Sequence, residues 1–111
     1  MKNFIKNLEH SKVLPLASEL SYLDGQIVSK TLAQNDQHSL TLFAFDQDEE
    51  ISTHSSDGDA LVYALDGEAK IVISGEEFSL KAGEAIVMPA NQPHSVYAKE
   101  PFKMLLIVLF S

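Results

Sequence analysis

Short segments in which apolar and polar residues alternate recur along this chain. β-Branched and aromatic side chains alternate loosely with polar ones over residues 26–32 and 39–45, a pattern typical of half-buried strands. No segment is long and periodic enough for a major helix. Residues 1–20 are mixed in character and leave room only for a short helical turn near residues 3–9. We therefore predict an all-β protein with a short irregular N-terminal segment.

The second half of the chain is predicted to hold short strands joined by tight turns. Apolar runs at 61–65 and 69–73 flank Asp66-Gly67, a strong signal for a two-residue hairpin. Further strands follow, separated by turns that contain glycine or proline, at residues 78–80, 85–88, 94–98 and 102–110. The polar stretch 46–58 is interpreted as a connection. This spacing favours an antiparallel meander that forms a barrel or a sandwich.

The last apolar run, residues 104–110, is hydrophobic at every position. It is much shorter than the roughly 20 residues that a membrane-spanning helix needs. Loss of alternation indicates a strand that is covered on both faces. Leucines at positions 14, 16 and 20 of the N-terminal segment supply part of that cover, but a second subunit is the simpler source. We therefore expect a homodimer.

Composition and charge narrow the function classes. The 111 residues fit one domain, predicted to span 1–111, and the 45% hydrophobic content is that of a globular protein. Sixteen acidic residues against eight basic ones repel phosphate backbones and anionic lipid, so neither nucleic acid nor a membrane is an expected partner. Without cysteine, a metal would need nitrogen and oxygen ligands. No signal-peptide pattern is found, which favours a cytoplasmic location.

Histidines are the main candidates for chemistry. The glycines are isolated at turns, which excludes a phosphate loop or a dinucleotide fingerprint. No Ser-His-Asp order or pair of glutamates supports hydrolysis. His10 and His38 are interpreted as solvated surface residues. His54 and His94 lie beside turn residues at predicted strand ends, and we expect them to converge on one cavity.

The segment after His54 reads His54-Ser55-Ser56-Asp57-Gly58-Asp59-Ala60 and continues to Gly67. It resembles the first motif of the cupin superfamily, G-x(5)-H-x-H-x(3,4)-E-x(6)-G. His54 and Gly67 match the motif. Ser56 and Ala60 stand where the motif has its second histidine and its glutamate.

The segment before His94 is similar to the second cupin motif, G-x(5)-P-x-G-x(2)-H-x(3)-N. Gly83, Pro89 and His94 match, whereas Asn91 and Ala98 replace the second glycine and the asparagine. The resemblance implies a double-stranded β-helix, or jelly-roll, barrel over residues 39–110 that contains both motifs, preceded by the N-terminal segment 1–20.

The resemblance leaves the function open, because cupins include oxygenases, isomerases, storage proteins and sensors. In metal-binding cupins the ligands are the two histidines and the glutamate of the first motif and the histidine of the second, and here His54 and His94 alone remain. Two imidazoles hold a divalent transition metal weakly. Our first hypothesis is therefore a pocket that binds a small acidic or polar molecule. The alternatives are an iron-, manganese-, nickel- or zinc-dependent oxygenase or isomerase and a purely structural dimeric barrel, so catalysis stays undecided.

Strand alternation predicts the pocket walls. Counting by twos from His94 reaches Val96 and Ala98, and counting from Ala60 reaches Val62 and Ala64. These positions also fit an ordinary barrel core. The predicted ligand-binding residues are His54, Ser56, Val62, Met88, His94 and Val96.

Overall fold

The computed structural model describes residues 4–110, and within this range nine strands form two antiparallel sheets. In chain order the strands are β1 (Ile27–Gln34), β2 (His38–Phe45), β3 (Glu50–His54), β4 (Asp59–Asp66), β5 (Glu68–Ile73), β6 (Glu76–Lys81), β7 (Ala85–Met88), β8 (His94–Ala98) and β9 (Phe102–Leu109). One sheet has the order β1-β2-β9-β4-β7, and the other has the order β3-β8-β5-β6. This arrangement confirms the predicted all-β jelly roll.

The inner faces of the two sheets form one hydrophobic core. Alternate residues of β4 and β5, among them Val62 and Ile71, are fully buried between the sheets. Phe45 and Phe102 meet edge to face, with ring centroids 5.8 Å apart. Each such buried large side chain contributes about 1.5–3 kcal/mol to the free energy of unfolding. The core continues toward the end where β3 finishes and β8 begins, since Ala60, Met88 and Val96 belong to it.

The Asp66-Gly67 hairpin is the main error of the sequence prediction. β4 and β5 belong to different sheets, so the chain turns a corner at Gly67. Gly67 has φ +77°, and a Cβ there would lie 1.9 Å from the carbonyl oxygen of Pro101. The glycine is required by this close approach and not by a hairpin turn. Ala82-Gly83 likewise joins the two sheets, so the predicted meander is wrong.

Of the three predicted turns, Ser74-Gly75 makes a hairpin, with Ile73 opposite Glu76. Both turn residues have positive φ, 49° and 85°, as in a type I′ turn. The hairpin joins β5 and β6 as expected. β1 and β2 also form near the predicted positions.

Two other expectations fail locally. The stretch 46–58 contains β3, an edge strand with four of its five residues exposed, and its polar outer residues concealed it. Residues 4–9 contain bends and no helical turn, while residue 3 lies outside the described residues; a 3-10 turn occurs instead at Leu16–Ser18. Within residues 4–110 no helix is long and apolar enough to cross a membrane.

The N-terminal segment lies against the outer face of the five-stranded sheet. The backbone N–H of Lys6 donates to the carbonyl oxygen of Leu32 (2.8 Å), and Lys103 Nζ donates to the carbonyl oxygen of Ala17. Leu42 and Ala44 are almost fully buried yet lie outside the main core cluster. The segment therefore covers part of the outer face, as the sequence indicated.

Candidate functional site

His54 and His94 lie opposite each other at one end of the four-stranded sheet. His54 is the last residue of β3, and His94 is the first residue of β8. The two residues are partners in the antiparallel ladder. The sheet therefore joins two residues that are far apart in the sequence.

A β-bulge sets the direction of His54. Ile51 pairs with Val96 and His54 pairs with His94, so two residues of β3 lie opposite the single residue Ser95. Regular alternation from Ile51 would turn Thr53 inward and His54 outward. The extra residue reverses this alternation, which is how bulges commonly re-aim a side chain. His54 consequently faces the same cavity as His94.

The cavity at this end of the barrel has a volume of about 170 Å³. Its walls are mostly apolar, and its polar lining comes from His54, Ser56 and His94. His54 lies at the exposed rim, whereas His94 is only 2% exposed. The cavity is thus an apolar space with its polar groups concentrated at one side.

The structure brings five of the six predicted pocket residues to this cavity, namely His54, Ser56, Met88, His94 and Val96. Val62, the sixth predicted residue, does not line the cavity and is fully buried in the core. It lies on the same face as Ala60 but one pair further from the open end. Ala60 itself lines the cavity.

Sequence reasoning missed five of the wall residues. They are Ile51 of β3, in the same sheet as the histidines, and the inward side chains of the last strand and its extension, Met104, Leu106, Val108 and Phe110. Ile51 was missed because its segment was read as a connection. The other four share one parity in the run 104–110, so alternation along that strand was a usable signal.

The hydrogen bonds of the two imidazoles fix their tautomers. Nδ1 of His54 lies 2.8 Å from the carbonyl oxygen of Ser52, and Nδ1 of His94 lies 3.1 Å from that of Gln92. A carbonyl oxygen only accepts, so each Nδ1 carries the hydrogen and donates it. In the neutral rings both Nε2 atoms are then unprotonated acceptors.

These two Nε2 atoms face each other at 3.2 Å, with the ring planes at 76°. Two neutral acceptors cannot hydrogen-bond to each other. An additional proton, a cation or a ligand with a hydrogen-bond donor would satisfy both lone pairs. In their neutral forms the two rings can therefore accept a proton or a hydrogen-bond donor at these atoms, and neither ring can supply one to the other.

The environment of His94 disfavours its charged form. Burial lowers the pKa of His94 below its usual value, and the charge of His54 lowers it further, while the hydrogen bond to the Gln92 carbonyl opposes both effects. His94 therefore stays a neutral acceptor under mildly alkaline conditions. This environment differs from that of a solvated histidine.

The loops around the two histidines are tied together. The N–H of Asn91 donates to the carbonyl oxygen of Ser56 (2.7 Å), and Ser56 Oγ accepts from the N–H of Gly58 (3.2 Å). Asn91 occupies the left-handed region with φ 65°, which asparagine tolerates better than most residues. The position where the motif has glycine is therefore left-handed in this chain and occupied by a residue that accepts this conformation.

The donor set is too small for a complete protein-built metal centre. No group of three or more histidine or acidic residues within the described residues is placed to hold a metal ion. Asp59, next to the Ala60 position of the first motif, accepts from the N–H of Ala90 (2.8 Å) and does not line the cavity. Catalytic transition-metal sites commonly use three protein ligands. Two imidazoles do not meet this requirement.

Comparisons with known proteins agree with the architecture. The cupin domain family model matches residues 41–108. A conserved protein of unknown function from Streptococcus pyogenes is 44% identical, with a TM-score of 0.97 over 99% of this chain and 96% of that chain. A cupin superfamily protein from Desulfitobacterium hafniense is 36% identical, with a TM-score of 0.92 over 96% of this chain and 98% of that chain. No curated protein matches the sequence. This chain belongs to the cupin domain family.

Proposed function

We propose that this cupin binds a small molecule in the cavity between His54 and His94. The observation that carries the proposal is an apolar cavity of about 170 Å³ into which two imidazoles converge, His54 at its rim and the buried His94. Small-molecule sites are typically apolar clefts in which a few polar groups fix the orientation of the ligand. The polar groups of this lining are few, His54, Ser56 and His94, as expected for a site in which a small number of contacts orient the ligand.

The proposal is tested by mass analysis of protein purified without an affinity tag. A non-covalent small molecule should be released on denaturation of the wild type and should be lost in His54→Ala. His38→Ala is the matched control, because His38 begins β2 away from the cavity lining and hydrogen-bonds to Asn35. A molecule that is retained equally in both variants, or a wild type that is empty and binds nothing from a fragment screen, contradicts the proposal.

Metal-dependent oxygenase or isomerase activity is the second candidate. It is favoured by one observation, the two Nε2 lone pairs that converge at 3.2 Å. Iron, manganese, nickel and zinc accept imidazole ligands, but a substrate or solvent would have to complete this incomplete set. A near-stoichiometric ion in untagged protein, lost in both His54→Ala and His94→Ala, would favour this candidate. A metal-free wild type would eliminate it.

We also propose that the chain forms a homodimer through the outer face of the five-stranded sheet. Three side chains on this face remain exposed although they are large and apolar: Leu109 (60%), Val87 (51%) and Tyr63 (40%). Their strands are neighbours, because β9 pairs with β4 and β4 pairs with β7. An exposed contiguous apolar patch is a common mark of a protein interface. If the cavity binds nothing, assembly through this patch is the remaining, purely structural role.

A further inference from the structure

We infer that the ligand of this cavity is an uncharged molecule whose hydroxyl group donates its single hydrogen to one of the two Nε2 atoms, or shares it between them, and whose body, about the size of a benzene ring, is buried in the cavity. This inference rests on the proposed function and narrows it to one class of ligand. The sequence alone predicted a ligand that is acidic or polar. The geometry of His54 and His94 favours the polar, neutral kind.

Backbone carbonyl groups orient the two imidazoles. Each imidazole has its Nδ1 committed to a carbonyl oxygen, Ser52 for His54 and Gln92 for His94. The carbonyl of Ser52 belongs to the bulged part of β3, so the same irregularity that turns His54 inward also selects its tautomer. Rotation of either ring by 180° would place a carbon atom against the carbonyl and forfeit the hydrogen bond. The backbone thus directs two acceptor nitrogens at the cavity.

The two acceptor nitrogens and the apolar lining favour an uncharged ligand with a hydrogen-bond donor. While both rings are neutral, a carboxylate, an ether oxygen or a carbonyl oxygen would face two acceptors and gain no hydrogen bond from either ring. An ammonium group would donate, but no carboxylate lines the cavity to compensate its burial among apolar side chains. A hydroxyl group donates without carrying a charge. Its oxygen retains acceptor capacity for the side chain of Ser56 at the same rim.

The volume of the cavity limits the size of the ligand. A cavity of about 170 Å³ compares with the engineered apolar cavity of ~150 Å³ that binds benzene. The walls offer flexible thioethers, Met88 and Met104, and branched aliphatic side chains, which adapt to a flat ring. One ring with one hydroxyl group therefore matches both the volume and the polarity of the space.

Four probes of nearly equal size test the inference by calorimetric titration of chelator-treated protein at about pH 8, where ordinary imidazoles are neutral. They are phenol, anisole, toluene and benzoate. Phenol is expected to bind about tenfold or more tightly than anisole, because anisole keeps the ring and the oxygen but lacks the donor. Benzoate is expected to bind more weakly than toluene.

His54→Ala should remove this preference and bring the ratio of the phenol and anisole dissociation constants close to one. The exposed position of His54 makes the variant compatible with folding, and His38→Ala should keep the wild-type ratio. Equal binding of phenol and anisole, or preference for benzoate, would overturn the inference while leaving the small-molecule pocket in place. Failure of all four probes to bind the wild type would overturn the pocket itself.

Discussion

Single residues decide the chemistry of the site, because this chain departs from the cupin motifs at several positions. Ser56 and Ala60 stand where the motif has two of its four metal ligands, whereas Asn91 stands where it has a glycine and itself has φ 65°. The sequence motifs predicted that His54 and His94 would meet, because motif spacing reflects the fold. They could not predict the tautomers, since these depend on carbonyl groups of Ser52 and Gln92 whose direction follows from the bulge and the loop.

The lowered pKa of His94 predicts a pH dependence of stability. Its pKa is below the usual value in the folded protein, mainly because of burial, so the unfolded chain binds this proton more readily. The contribution of His94 is therefore complete above about pH 6.5, the unperturbed value, and is lost as the pH falls toward the folded pKa. Urea unfolding between about pH 7.5 and 5.5 should show a falling free energy of unfolding.

His94→Gln should flatten this fall, because glutamine does not titrate. His38→Gln is the control. It removes a histidine that hydrogen-bonds to Asn35 at the surface, and it should leave the dependence of the free energy of unfolding on pH as in the wild type. An unchanged slope in His94→Gln would show that other groups cause the pH dependence.

At the scale of elements, turn signals predicted where the chain bends but not which strands then pair. Asp66-Gly67 and Ser74-Gly75 look alike in sequence, yet the first joins two sheets and the second closes a hairpin. The difference comes from residues distant in sequence, since β4 pairs with β9 and not with β5. Strand β3 was missed for a related reason: an exposed edge strand has little apolar alternation to reveal it.

This difference predicts unequal effects of alanine at the two glycines. Gly67→Ala would force a Cβ to within 1.9 Å of the Pro101 carbonyl oxygen, so the sheets must shift. It should lower the free energy of unfolding by about 3 kcal/mol or more. Gly75→Ala, also at positive φ but with no atom near its Cβ, should cost about 1 kcal/mol. Equal losses in thermal or urea unfolding would contradict the proposed corner.

At the scale of the whole molecule, the last strand separates two surfaces. Its inward residues, Met104, Leu106 and Val108, line the cavity, and its outward residue Leu109 lies in the exposed patch. The apolar run was correctly interpreted as a strand, while the cover of its outer face by a second subunit stays a prediction. The irregular N-terminal segment reaches this face at Lys103, which donates to the carbonyl oxygen of Ala17, but Leu109, Val87 and Tyr63 remain exposed.

The proposed dimer predicts a solution mass of about twice the 12.2 kDa of the monomer. Leu109→Glu should shift sedimentation toward the monomer, because it places a charge in the interface while its exposed position spares the monomer fold. Val13→Glu, at a residue that is 96% exposed outside the patch, is the matched control and should leave the mass unchanged. A wild type that sediments as a monomer would contradict the proposal.

Histidine side-chain nitrogen NMR during titration with phenol would show whether His54 and His94 form the binding end of the cavity. The free protein should show Nδ1-protonated tautomers for both rings at about pH 8. Added phenol should shift the Nε2 signals of His54 and His94 saturably while those of His10 and His38, which do not line the cavity, remain fixed. Absence of a saturable shift at His54 and His94, or equal shifts at all four histidines, would contradict the account.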